Sequence, residues 1–206
     1  LPALNPDLKD AARRAGDLAL FLAEHDLRPR DMATRESFEH AIMVPAAITD
    51  KVRTDVYEAM KVFEEKGIAI KILSGDAAHA VRAVCREIGW QVRPDEAVSG
   101  DELDRMTEEA FGDMVGRGKV FARLKPDHKL RILRELKRRG LYTAMLGDGV
   151  NDLPAIKEAH MGIAMEEGSA VTRDVADIVL LGNRFALLPG IFQGVFGENC
   201  RQVTPA

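Results

Sequence analysis

At 206 residues, 46% apolar and 30% charged, the chain has an ordinary globular composition and the length to bury a substantial core. A formal net charge of −4 excludes the broad basic field that nucleic-acid binding draws on, so nucleic acid is not an expected partner. No run approaches the ~18 consecutive apolar residues of a membrane span and no signal-type segment opens the chain; Cys85 and Cys200 are too few and too far apart for a disulfide framework or zinc site.

The first 40 or so residues differ from the rest. Leu4 to Arg14 and Asp17 to Glu24 suggest helix or short mixed structure, and a polar stretch follows from His25 to His40. The apolar run Ala41 to Ile48 reads as the first strand of the main domain. Val56, Ala59, Met60 and Phe63 form a helical stripe closed by Gly67. Ile68 to Leu73 reads as a strand, followed by Val81, Val84, Cys85 and Ile88 at helical spacing and a stop at Gly89. Val120 to Leu124 is strand-like, Asp127 to Arg139 helix-like with Leu130, Leu133 and Leu136 inward, and Leu141 to Leu146 strand-like again. Short strands follow at Met161 to Met165 and Ile178 to Leu181. A last helix carries Phe185, Leu188, Phe192, Val195 and Phe196, its start disturbed by Pro189 and Gly190. This alternation from about residue 68 implies an α/β domain, a parallel sheet with helices on its faces. Trp90 and the Phe stripe read as packing residues.

Polar clusters follow three of the predicted strands: Ser74-Gly75-Asp76, then Arg123 with Pro126-Asp127-His128-Lys129, then Gly147-Asp148-Gly149-Val150-Asn151-Asp152. In open parallel sheets ligands bind beyond the carboxyl ends of the strands, so such clusters can converge. Their chemistry is complementary. A hydroxyl and free backbone amides at Ser74-Gly75 can hold phosphoryl oxygens, the Lys129 ammonium can offset their charge, and the carboxylates can hold Mg2+. Taken singly, Ser74 reads equally well as a helix N-cap, and Lys129 reads better as a solvated helix residue than as a phosphate ligand. The basic stretch from Arg123 to Arg139 reads as a solvated helix face, and His128 as a surface residue.

These three clusters, with Leu153 to Lys157, Gly162 to Met165 and Ala176 to Leu181, resemble the phosphorylation domain of P-type cation-transporting ATPases, within the haloacid dehalogenase-like superfamily. The similarity spans about residues 41 to 200. It implies a Rossmann-like parallel sheet with helices on both faces, Mg2+ as cofactor and ATP as substrate. By position it implies that Asp148 ligates Mg2+, that Asp152 supports the metal site and orients Lys129, and that Lys129 and Ser74 contact the phosphoryl group. Gly75, Asp76 and Asn151 would shape the phosphate pocket, and Arg123 would lie toward the nucleotide. Asp50 and Arg53 would sit where the chain re-enters the domain, near the ATP path. Ser74 stands where the family more often has Thr, which keeps the hydroxyl.

The resemblance also implies a gap. The family's phosphoryl acceptor is the aspartate of Asp-Lys-Thr-Gly-Thr, and that motif does not occur here. Residues 1–40 are then expected to be a remnant of the inserted nucleotide-binding domain, and 41–206 a phosphorylation domain lacking its nucleophile segment. The chain, which opens on Leu1, would be a cytoplasmic-side, soluble piece of a membrane cation pump, inactive alone, its partners being ATP, the transported cation and the pump's other domains. The stretch Gly168 to Arg173 has the style of bacterial pumps of the calcium or general cation kind. Asp50-Lys51-Val52-Arg53-Thr54 partly mimics the missing motif but lacks its Thr-Gly pair, and glycine is hard to replace where backbone approaches phosphate. Two alternatives therefore stand beside the pump: a stand-alone soluble Mg2+-dependent phosphatase with Asp50 as nucleophile, and a non-catalytic Mg2+- or nucleotide-binding module.

Overall fold

The computed structural model describes residues 40–45, 54–183 and 185–196. Most of the 1–40 leader, Asp50, Arg53 and Cys200 lie outside the described residues. The elements run β1 (His40–Pro45), α1 (Thr54–Glu65), β2 (Ala69–Leu73), α2 (Ala78–Glu87), β3 (Ala97–Ser99), α3 (Gly100–Leu103), α4 (Glu108–Arg117), β4 (Val120–Ala122), α5 (Pro126–Arg138), β5 (Tyr142–Gly147), α6 (Leu153–Glu158), β6 (Met161–Met165), α7 (Ala170–Val175), β7 (Ile178–Leu180) and α8 (Leu188–Phe196). The strands form one sheet in the order β3-β4-β2-β1-β5-β6-β7, every pairing parallel.

The expected architecture is present, with helices on both faces. Because strand side chains alternate, each strand feeds two cores. Ile70 and Ile72 of β2, Val120 of β4 and Ala144 and Leu146 of β5 pack with Val56, Met60 and Phe63 of α1, Val81 and Cys85 of α2, and Phe192 of α8. On the other face Leu73, Phe121 and Met145 meet Phe111, Met114 and Val115 of α4, Ile132, Leu133 and Leu136 of α5, and Ile156 of α6. On α5 the buried face is Ile132, Leu133 and Leu136, while Leu130, expected inward, is only half-buried. The stops at Gly67 and Gly89 are as read: both adopt left-handed backbone, with φ of 70° and 81°. Helix α8 begins at Leu188, which puts Pro189 in the first turn, where a missing N–H costs nothing.

Two features were not anticipated. Between α2 and β4 the chain adds an edge strand, β3, and two helices, α3 and α4. Lys71, in the middle of β2, is buried; its ammonium donates to the carbonyls of Gly116 at 3.0 Å and Gly118 at 2.7 Å, at the end of α4. The Cys85 thiol is also buried and is pushed up to about 11 by that burial, which makes it a packing residue rather than a reactive thiol.

Candidate functional site

All three clusters leave the same edge of the sheet, because β2, β4 and β5 run parallel. The first two are joined backbone to backbone. Leu124 N–H donates to Ser74 O at 2.9 Å, and Arg123 N–H to Asp76 O at 2.8 Å. Ser74 is buried, and its Oγ accepts the Asp76 amide at 3.0 Å and donates to Asp76 Oδ2 at 3.2 Å. It is not an N-cap: that position on α2 belongs to Ala77. A Cβ on Gly75 would meet Leu124 O at 3.8 Å, an ordinary contact, so crowding by the protein does not by itself demand glycine here. Arg123 takes φ 49°, rare for a residue with a side chain, and its side chain is exposed. That turn ends β4 at Ala122, before the expected Leu124.

Helix α5 starts beside this joined pair of loops and carries Lys129 inward. The Lys129 ammonium donates to Asp152 Oδ1 at 2.5 Å, with the side chains only 9% and 4% exposed. The neighbouring His128 is buried, not a surface residue as expected. Its Nδ1 accepts the Lys125 amide at 3.2 Å, so Nε2 carries the proton and donates to Asp104 Oδ1 at 2.9 Å. The ring folds back over the first turn of its own helix because the N-cap amide there needs an acceptor. The basic face of α5 is otherwise answered by acids: Arg131 by Glu108, Arg134 and Lys137 by Glu158, and Arg138 and Arg139 by Glu135.

The third cluster leaves β5 at Gly147. A Cβ there would lie 2.6 Å from Asp152 Cβ and 2.8 Å from Ile156 Cδ1, so only glycine lets the loop fold back onto its strand. A single 3-10 turn, Val150–Asp152, then brings Asp152 N–H to Gly149 O at 3.0 Å and points Asp152 at Lys129. Asn151 is exposed and Asp148 half-buried. Among the described residues the Asp148 carboxylate has neither a hydrogen-bond nor an ion-pair partner.

Among the described residues no group of three or more His, Cys, Asp or Glu could hold a metal alone. Mg2+ does not require one: it takes one or two protein carboxylates, with phosphate oxygens and water completing the octahedron. Asp148 offers a free carboxylate at the loop mouth, whereas Asp152 has one oxygen committed to Lys129. The donor set fits magnesium bound together with a phosphate. A polar cavity of about 710 Å³, lined by Lys137, Glu158, His160 and Asp177, lies instead near the opposite sheet edge, where β6 and β7 begin. Sequence reasoning missed the turn behind the Gly147 to Asp152 loop, where Ser169 N–H donates to Asp148 O at 2.7 Å. Its legible signal is a Ser before a short helix, an N-cap pattern.

Residues 8–160 match the family described as haloacid dehalogenase-like hydrolase. The human calcium-transporting ATPase type 2C member 2 is 39% identical over 142 residues, covering 68% of this chain and 15% of its own length. The probable cation-transporting ATPase F of Mycobacterium bovis is 34% identical over 166 residues, covering 77% of this chain and 18% of its own length. The chain therefore spans under a fifth of these relatives. Among solved structures, a zinc-transporting PIB-type ATPase in the E2.Pi state superposes with a TM-score of 0.53 at 28% identity, over 71% of this chain and 20% of that one. The catalytic domain of the CPx-ATPase CopB-B gives 0.51 at 27% identity, over 69% of this chain and 45% of that one.

Proposed function

The chain belongs to the haloacid dehalogenase-like hydrolase family, and we propose that within it the chain is part of an ATP-driven membrane cation pump. It supplies the Mg2+- and phosphate-binding half of a site that forms an aspartyl phosphate. The observation that carries this reading is the buried Lys129–Asp152 pair set beside a free Asp148 carboxylate, on the sheet edge that also carries the Ser74 loop. Relatives and structural neighbours are named as calcium-, cation- and zinc-transporting ATPases, which supports the class of machine.

Each residue then has a part. Asp148 holds Mg2+, which when bound offsets charge on the phosphoryl oxygens. Lys129 presents its ammonium to the same oxygens, and Asp152 holds that ammonium in place while keeping one oxygen for the metal shell. Ser74 donates its hydroxyl, Gly75 leaves room for phosphate to approach backbone, and Asp76 and Asn151 line the pocket. Arg123 faces the nucleotide from its exposed turn, with Asp50 and Arg53 along the ATP path. The phosphoryl acceptor comes from elsewhere in the intact pump, so the chain alone turns nothing over. Among the described residues no helix is long and apolar enough to cross a membrane; the spans belong to the rest of the pump, and this segment sits on its cytoplasmic side.

One observation favours a second reading. Strand β1 occupies the sheet centre between β2 and β5, with Pro45 opposite Leu73 and Met43 opposite Met145. Asp50 follows that strand in sequence, as the nucleophile of a stand-alone phosphatase would. Hydrolysis of a phosphomonoester with Mg2+, lost in Asp50→Asn, would select this reading; equal rates in the two chains, or no turnover by wild type, would remove Asp50 as nucleophile. For the metal itself, Mg2+ titration followed by the amide resonances of Gly147 and Gly149 is expected to saturate in wild type. Asp148→Ala should weaken that response by about tenfold or more, and equal curves would remove metal from the loop.

A further inference from the structure

We infer that Thr172 is a positioning residue for the Asp148–Asp152 loop, holding its backbone in the geometry that aims Asp148 at the metal; this rests on Asp148 being the Mg2+ ligand. Thr172 is fully buried in α7, and its hydroxyl reaches out of the helix to donate to Gly149 O at 3.2 Å. Threonine hydroxyls near helix starts ordinarily bond within their own turn. This one crosses to a loop 23 residues earlier in the chain.

The hydrogen bonds around it form one directed chain. Thr172 N–H donates to Ser169 Oγ at 3.1 Å. Ser169 Oγ and Thr172 Oγ1 are 2.6 Å apart, and since the Thr172 hydrogen is used on Gly149, Ser169 is the donor between them. Gly149 O also accepts Asp152 N–H at 3.0 Å, and Asp148 O accepts Ser169 N–H at 2.7 Å. Both carbonyls that flank the 148–149 backbone are thus tied to the start of α7, and one of them also sets the turn that delivers Asp152 to Lys129. The approach is close: a Cβ at Gly168 would stand 2.7 Å from Asp148 O and 3.0 Å from its Cα. Among the described residues the loop has one hydroxyl donor behind it, and it has little room to relax without that donor.

Thr172→Val keeps the branched shape and removes the donor, while Thr172→Ser keeps the donor and removes the methyl. Two readouts on the whole chain separate positioning from packing: Mg2+ affinity by amide titration, and metal-free amide exchange at Asp152 and Ser169, with urea unfolding as the measure of global stability. Thr172→Val is expected to lose about tenfold in Mg2+ affinity and to exchange faster at those two amides beyond its change in global stability; Thr172→Ser should stay near wild type in both. Wild-type affinity in Thr172→Val overturns the inference, as does exchange accelerated evenly across the domain. Should wild type itself not respond to Mg2+, the metal reading fails, and the exchange experiment alone decides whether Thr172 holds the loop.

Discussion

Replacing Asp152 with alanine is expected to destabilise the domain by about 3–5 kcal/mol, the cost of leaving one charge of a buried pair without its partner. The Lys129 and Asp152 side chains are 9% and 4% exposed, and the ammonium sits 2.5 Å from Oδ1. Without the carboxylate the buried ammonium has lost its hydrogen-bond acceptor, or the first turn of α5 moves outward to bring it to water. Asp152→Asn keeps shape and an acceptor oxygen but removes the charge, and should fall between alanine and wild type. The double variant Lys129→Met with Asp152→Ala should recover part of the loss, because no orphan charge remains. Urea unfolding of the set measures this. An Asp152→Ala midpoint within about 1 kcal/mol of wild type would mean that the pair is solvated, which would also remove the reason for assigning Lys129 a fixed position at phosphate.

How much of this was legible in the sequence follows from where the periodicity is clean. Strands β2, β5 and β6 are apolar runs bounded by glycines or charges, and α1, α2 and α5 carry stripes that stop at Gly67, Gly89 and Gly140, so both element type and sheet class could be read. The edge strand β3 is three residues long, too short for alternation to register, and α4 has its apolar positions Phe111, Met114 and Val115 interleaved with Gly112 and Gly116, which read as breakers. The three polar clusters were legible because strand ends placed them together. The pairing of Lys129 with Asp152 followed from family resemblance. What no local pattern announces is burial of polar groups: His128 reads as a surface residue, Lys71 stands in no motif, and the Gly168 to Arg173 stretch that contains Thr172 carries no sign that its hydroxyl is buried. Their roles depend on residues more than 20 positions away, a relation that spacing within one element does not carry.

Lys71 gives the clearest pH dependence. Burial, and secondarily the Arg139 guanidinium, lower its ammonium from 10.5 to about 8 in the folded chain. The carbonyls of Gly116 and Gly118, at the negative end of α4, and the Phe121 ring 5.9 Å from Nζ offset part of that cost. With the folded value below the unfolded one, the unfolded chain binds more protons between about pH 8 and 10.5, so this residue's contribution to stability rises with pH across that window. Two other groups oppose it. Cys85 is raised to about 11 and Tyr142, chiefly by burial, to about 12, so each ionises first in the unfolded chain and lowers stability as pH climbs. The total curve therefore hides Lys71, and the comparison that isolates it is wild type against Lys71→Met. The wild-type stability relative to Lys71→Met should rise by about 2 kcal/mol from about pH 7.5 to about pH 9.5, whatever the offset between the two chains at neutral pH. That offset has its own content: methionine removes the buried charge but leaves two helix-end carbonyls without their donor, costs of opposite sign and similar size. A difference between the curves that stays flat with pH would mean that the Lys71 ammonium keeps its ordinary affinity for protons, and that water, not the end of α4, is its partner.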